Sequence, residues 1–344
     1  MTSSLSEREA AVYDRQIRLW GIEAQKRLQS SKVLICGANA LGLEVAKNLT
    51  LAGFSVAIQD NDIVEERDLG ANYFITAEKL GRNKAQAVLP NLKELNPLVE
   101  TSAVSIPLTQ VGEAILLKFN CVLLVNTPMS EAIRINNICH QHNIKFFNGN
   151  TYGCLGTFFA DLGTYTYALK KQKSVKGEEN SSPQPVTKIF STLEQSMLTP
   201  WSSLLKVRFG FPELYFGTQI LEEYWTTLEK HPRKDRGFIA TTASFHNALK
   251  VAEQMSVKNG GDNKHSFVRE STLKILLETG LNELSPVCAV LGGLIGQEII
   301  KIIAGKGQPM CNSNGANWLF FDPMSIIDPK GGAIVKFNPP KVSS

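Results

Sequence analysis

Lys32-Val33-Leu34-Ile35-Cys36 is a short apolar run that ends at Gly37, and together with the segment after it this run restricts the fold more than any other stretch of the chain. Leu41 to Gly53 carries apolar residues at helical spacing, and Phe54 to Ile58 is a second apolar run leading through Gln59 to Asp60. A strand, a glycine turn, a helix and a second strand of this length form a β-α-β unit, which closes only as a right-handed parallel crossover. Further apolar strands at Cys121 to Val125 and Lys145 to Phe147 alternate with helical spacing over Lys79 to Leu95 and Glu131 to Gln141. The pattern predicts a mainly parallel sheet wrapped by helices, an α/β fold of Rossmann-like type.

After Asn148 the rhythm changes. Thr157 to Leu162 and Tyr165 to Ala168 read as an antiparallel extension of the same sheet, and 169–200 as a flexible loop, because Lys170 to Gln184 has almost no apolar residues. From Trp201 to Leu281 the spacing is helical, broken by Pro232 and by Gly260-Gly261, which predicts a helical insertion over 201–281. Pro286 then opens an apolar helix through Ile303, and Trp318 to Asp322 and Ala333 to Val335 give two closing strands. The expected division is an N-terminal part over 1–168, the loop, the insertion, and a C-terminal part of the same domain over 282–344. Residues 7 to 29, with alternating charge and anchors such as Tyr13, Ile17 and Trp20, suit an amphipathic helical segment.

Composition narrows the partners. A formal charge of +4 over 344 residues does not call for the dense phosphate contacts of a nucleic-acid binder. Gln297, Glu298 and Lys301 interrupt the apolar stretch around Val287 to Gly305, so no membrane span is expected. Met1 to Ala10 has no hydrophobic block of the kind a secretory signal needs, and an intracellular protein is expected. The six cysteines form no CxxC pair and lack a histidine placed to complete a zinc set, so no metal site is expected. Cys139 beside His140 is a nucleophile candidate, but neighbours one apart on a helix point in different directions.

The turn Gly37-Ala38-Asn39-Ala40-Leu41-Gly42 keeps the first and third glycines of GxGxxG, while Asn39 stands at the middle position, where a side chain crowds a pyrophosphate. Asp60 ends the second strand, where an acid can hold ribose hydroxyls. Two readings stay open on these residues alone: a working nucleotide site, or glycines that serve only turn geometry and helix packing. A nicotinamide-dependent Rossmann oxidoreductase is a third, with Asn39 against it.

Tyr13-Asp14-Arg15-Gln16-Ile17-Arg18-Leu19-Trp20-Gly21 resembles the opening motif of the enzymes that activate ubiquitin-like proteins. Gly81-Arg82-Asn83-Lys84-Ala85, Gly153 to Leu162, Ser285 to Gly293 and Gln297-Glu298-Ile299 are similar to later motifs of that family, so the resemblance spans nearly the whole chain outside the insertion. The short length and the Ala11-Val12-Tyr13-Asp14-Arg15 start resemble the small subunits of the heterodimeric enzymes that activate SUMO. The resemblance implies a ThiF-type adenylation fold and an obligate larger partner that carries the catalytic cysteine, most of the ATP and Mg²⁺ site, and the SUMO-binding surface. An active half in that family has an Asn-Arg pair after the ribose-binding acid, a lysine on the next helix, and a metal-binding aspartate after the following strand. Here Gly70 and Ala71 replace the pair and Thr127 replaces the aspartate, while Lys84 is retained. The implied site of this chain is therefore vestigial, with Gly37, Gly42, Asp60 and Lys84 as its remnants.

For catalysis, the family resemblance implies Arg15, donated across the dimer to the partner's ATP, with Arg18 as a second candidate. A scaffold that places no residue in the partner's site, or a subunit for another ubiquitin-like protein, remains open. The expected location is the nucleus, with some protein in the cytoplasm. Lys170-Lys171-Gln172-Lys173 reads first as solvated surface and second as a weak nuclear-import patch.

Overall fold

The computed structural model describes residues 6–168, 185–199, 201, 213–235, 237–260, 267–310, 317–323 and 334–337. Three short helices, α1 (Glu7–Val12), α2 (Asp14–Trp20) and α3 (Ile22–Gln29), lead into β1 (Lys32–Cys36), α4 (Ala40–Ala52) and β2 (Ser55–Gln59). Then come α5 (Lys84–Leu95), β3 (Thr101–Val104), α6 (Glu113–Leu116), β4 (Cys121–Val125), α7 (Met129–Gln141), β5 (Lys145–Tyr152) and β6 (Leu155–Asp161). A separate hairpin is formed by β7 (Thr164–Ala168) and β8 (Pro185–Ile189). The remaining elements are α8 (Leu193–Met197), α9 (Glu213–Thr226), α10 (Pro232–Asp235), α11 (Thr242–Lys258), α12 (Glu270–Thr279), α13 (Ser285–Ile303), β9 (Trp318–Phe321) and β10 (Ile334–Phe337).

The main sheet runs β10-β9-β6-β5-β4-β1-β2-β3. Its β5-β4-β1-β2-β3 half is parallel, and β6, β9 and β10 add antiparallel strands to the other edge. Strand alternation divides the core. Val33 and Ile35 face a layer containing Leu41, Leu49 and, from α13, Leu291 and Ile295. Leu34 and Cys36 face a second layer with Ile135 of α7 and Tyr215, Trp225 and Leu276 of the insertion helices.

Several boundaries differ from the sequence reading for local reasons. Residues 7 to 29 form three helices because Tyr13 turns inward, fully buried, and Gly21 takes φ +86°. α5 begins at Lys84, since Gly81 has φ +77° and the Asn83 side chain caps the helix by accepting from the Gln86 amide at 3.1 Å. Tyr165 to Ala168 does not extend the main sheet: β7 pairs with β8, its alternate tyrosines buried in the first core layer. Within the stretch read as a flexible loop, 185–189 is a strand and 193–197 a helix with a Thr192–Gln195 capping box. Lys170 to Gln184 lies outside the described residues.

α13 is the helix among the described residues that is long and apolar enough to cross a membrane, yet one face packs along α4 and its Glu298 is buried in an ion pair with Lys301. Close approach of the two helices depends on Gly292, where a Cβ would stand 2.7 Å from that of Glu44.

Candidate functional site

β1 has parallel neighbours on both sides, β2 and β4, so the chain leaves its carboxyl end in opposite directions and opens a crevice there. This cleft, of about 760 Å³, is lined among others by Gly37, Asp60, Asn126, Thr127, Arg233 and Glu283.

Gly37 holds φ +115°, and a Cβ on Gly42 would lie 2.1 Å from the Gly37 carbonyl oxygen. These two glycines let the strand-to-helix turn close on itself. Asn39 is the N-cap of α4, its Oδ1 accepting from the Gly42 amide at 3.0 Å. Asp60 accepts from the amides of Ala38 (2.8 Å) and Asp62 (2.9 Å). Burial pushes its carboxyl up, against those two bonds and the charge of Lys84. Lys84 is buried in a 2.6 Å ion pair with Asp68, and Asp68 rather than Lys84 lines the cleft. The Thr127 hydroxyl donates to the Val125 carbonyl at 3.3 Å.

Sequence reasoning missed four residues here: Asn126, Arg233 and Glu283 on the cleft wall, and Glu222 behind Arg233. Glu283, just before α13, accepts from the Ala40 amide at 3.0 Å and the Leu41 amide at 3.3 Å, the first free donors of α4. Asn126, at φ +50° after β4, donates to Glu283 Oε1 at 2.9 Å and accepts from Arg233 Nη1 at 3.0 Å. Arg233 pairs with Glu222 at 3.1 Å and lies over the rings of Tyr152 and Trp225. Glu222 in turn accepts from the Met129 amide at the start of α7 at 3.2 Å. Burial pushes the Glu222 carboxyl up, but the contacts from His231, Arg233 and the Met129 amide outweigh it, and the carboxyl lies below its ordinary value. Asn126 had a signal, since Asn is enriched at positive φ after a strand. The glutamates had none, because they stand 93 and 243 residues away from the helix amides they cap.

The residues present do not fit ATP with Mg²⁺. Anion-binding amides at the start of α4 already hold a carboxylate, the ribose-binding acid is engaged with backbone amides, and the lysine is spent on Asp68. Thr127 offers a neutral hydroxyl where a metal-binding carboxylate would stand. A dinucleotide's pyrophosphate meets the same carboxylate. Among the described residues no group of three or more His, Cys, Asp or Glu side chains is placed to hold a metal ion. Burial pushes the Cys139 thiol up to about 12, the Asp161 charge adds to it, and neighbouring His140 bonds Asp161 at 2.8 Å instead. Cys311 lies outside the described residues.

Arg15 and Arg18 sit elsewhere. Tyr13 is anchored by the Asn96 amide, which donates to its hydroxyl at 2.8 Å, and Gln16 donates to the Leu51 carbonyl at 3.2 Å, so α2 lies at the carboxyl end of α4. Thirteen residues of helix place that end about 20 Å from the cleft at the amino end. Arg18 is paired with Asp14 at 3.0 Å, whereas Arg15 is exposed and makes no ion pair among the described residues. Beside it Leu19 is 77% exposed and Val12 56%.

Comparison with known proteins agrees with this architecture. A match to the ThiF family covers residues 13–327. The chain belongs to the ThiF family. Within it, the chain is 34% identical to SUMO-activating enzyme subunit 1 of Xenopus laevis, over 92% of this chain and 94% of that one. It is 32% identical to SUMO-activating enzyme subunit 1 of Homo sapiens, over 98% of this chain and 97% of the relative, and 34% identical to that of Danio rerio, over 97% and 96%. The fold is similar to that in the crystal structure of E. coli MccB with succinimide, at a TM-score of 0.53, 14% identity, and coverage of 95% of this chain and 71% of that one.

Proposed function

We propose that this ThiF-family chain is the small, non-catalytic subunit of a heterodimeric SUMO-activating enzyme. The observation that carries the reading is the division within the chain: Glu283 occupies the helix amides of its own cleft, while the motif arginine Arg15, which makes no ion pair among the described residues, stands at the far end of α4. A chain so arranged can contribute charge to another subunit's site but cannot hold a triphosphate in its own. Near full-length similarity to SUMO-activating enzyme subunit 1 supports SUMO as the modifier.

In this reading a larger partner subunit binds ATP, Mg²⁺ and SUMO and carries the cysteine that takes the acyl group as a thioester. Arg15 enters that partner's site, where a permanently charged, planar guanidinium stabilises phosphate oxygens as charge shifts during adenylation. Arg18, held by Asp14, stays on this chain's surface. The exposed side of α13, with Pro286, Ala289 and Val290, gives the partner an apolar face to cover. The proposal includes a nuclear location with some protein in the cytoplasm, which cell fractionation checks.

Co-expression with candidate large subunits, followed by an ATP-dependent thioester assay with SUMO, ubiquitin and other ubiquitin-like proteins, tests the reading. The expected result is a thioester with SUMO only, on the partner, and only when both chains are present. Pyrophosphate exchange with ATP by this chain alone, or a thioester with a different modifier, overturns it.

A further inference from the structure

The cleft does not fit a nucleotide because a side chain of this protein stands where an anion would. The first amides of a helix are strong oxyanion donors, since they are unsatisfied within the helix and sit at the positive end of its dipole. On α4, a helix of 13 residues, the amides of Ala40 and Leu41 both donate to Glu283, and the Asn126 side-chain amide donates to the same carboxylate from the end of β4. Three donors from two elements thus converge on one oxyanion.

A second observation lies on the same cleft wall. Arg233 is buried at 8% exposure, lines the cleft, and shares Asn126 with Glu283, yet among the described residues its Nη2 has no hydrogen-bond partner. A buried guanidinium N–H without an acceptor is costly, and it stands ready for an anionic oxygen.

We infer that Glu283 is the resident internal ligand of an oxyanion site built by Ala40, Leu41, Asn126 and Arg233, and that removing its side chain opens this site to small carboxylates and to inorganic phosphate. The same contact has a structural consequence. Glu283 lies two residues before α13, and its neighbour Asn282 accepts from the Gly153 amide at 3.0 Å, so the internal anion also fixes where α13 begins. The inference stands on these contacts and holds whichever modifier the enzyme activates.

The experiment measures thermal unfolding of the full chain in formate, in inorganic phosphate and in chloride of matched ionic strength. Wild type is expected to give the same Tm, within about 1 °C, in all three, because its site is filled. Glu283→Ala is expected to lose about 2 to 4 °C in chloride, as loss of a charged helix cap does in a chain of this size, and to regain at least half of that loss, saturably, in formate or phosphate. Glu283→Gln keeps the side-chain volume, so it is expected to show a loss without the recovery. An alanine variant that responds to the anions no more than wild type overturns the inference, as does one with an unchanged Tm. If the alanine variant does not fold, amide hydrogen exchange on Glu283→Gln decides: at Ala40 and Leu41 it is expected to speed up about tenfold, and unchanged exchange there overturns the inference.

Discussion

Glu222 and Arg233 form a 3.1 Å ion pair in which both side chains are almost fully buried, one from α9 of the insertion and one from α10. Because the pair also reaches Met129 of α7 and Asn126 after β4, it fastens the insertion to the carboxyl edge of the sheet. The Glu222 carboxyl lies below its ordinary value despite burial, so its ionised form is favoured in the folded state. A carboxylate of that kind adds stability that is fully present above the unfolded value of about 4.3 and is lost as pH falls through the lowered folded value. Glu222→Gln leaves Arg233 buried without its counter-charge, which costs about 3 to 5 kcal/mol at neutral pH. Denaturant unfolding is therefore expected to separate the two proteins most at about pH 6 to 8, and the gap is expected to shrink below about pH 4. A gap that stays constant down to about pH 3 would show that the charge of Glu222 contributes nothing.

Gly42 is a packing residue, and its replacement is expected to hurt the fold itself. A Cβ 2.1 Å from the Gly37 carbonyl oxygen cannot be accommodated by a side-chain rotation, since both atoms are fixed to backbone. Either the first turn of α4 moves away from β1 or the turn at Gly37 opens. Gly42→Ala is expected to destabilise the chain by about 3 kcal/mol or more, although alanine favours helix by about 1 kcal/mol. Urea titration checks the direction, and a neutral or stabilised alanine variant contradicts the packing role.

The β-α-β start was legible because Val33 to Cys36 and Val56 to Ile58 are apolar runs of strand length around one helix, and a parallel sheet buried on both faces requires such runs. β3 was not: Thr101 to Val104 sits at the sheet edge, half-buried, with no apolar run to mark it. The Tyr165 to Ala168 strand was recognised by its alternation, but alternation does not name a partner, and β8 proved to be that partner. At the cleft, the turn glycines, Asn39 and Asp60 could be placed from local pattern. Glu222, Arg233 and Glu283 could not, because each acts across more than 90 residues of chain and only the folded topology brings it to its partner.

The exposed apolar side of α13 is expected to be the surface whose alteration separates the subunits. Val290 is 49% exposed, next to Ala289 and four residues from Pro286, on the side turned away from α4. Val290→Arg places a charge there without touching this chain's core, so the chain's own stability is expected to change by less than about 0.5 kcal/mol. A charge buried without a partner in an interface costs several kcal/mol, which converts to at least about a hundredfold loss of heterodimer affinity. Analytical ultracentrifugation of the mixed subunits measures this, and an affinity equal to wild type would place the partner on another face.

Arg15 and Arg18 stand three residues apart on α2, and their contacts divide the roles proposed for them. Arg18 already has a carboxylate, Asp14, in an exposed i, i+4 pair worth only about 0.3 to 0.5 kcal/mol, so Arg18→Ala is expected to change adenylation by less than about fivefold. Arg15 has no such pair among the described residues, and it projects from a helix that Tyr13 and Gln16 tie to Asn96 and the end of α4. A rigid base matters because a donor contributes to a transition state only if it is in place before charge develops. Losing one preorganised contact of this kind costs about 2.7 to 4 kcal/mol, so Arg15→Ala in the assembled heterodimer is expected to slow adenylate formation about 10² to 10³-fold. Arg15→Lys keeps the charge but loses the planar fork of donors, and it is expected to recover only part of the rate. Dimer affinity and SUMO binding are expected to stay near wild type, which distinguishes a lost transition-state contact from a damaged interface. Single-turnover adenylation at saturating ATP and SUMO gives the rate directly. Equal rates for wild type and Arg15→Ala would leave this subunit as a scaffold that places no residue in its partner's site.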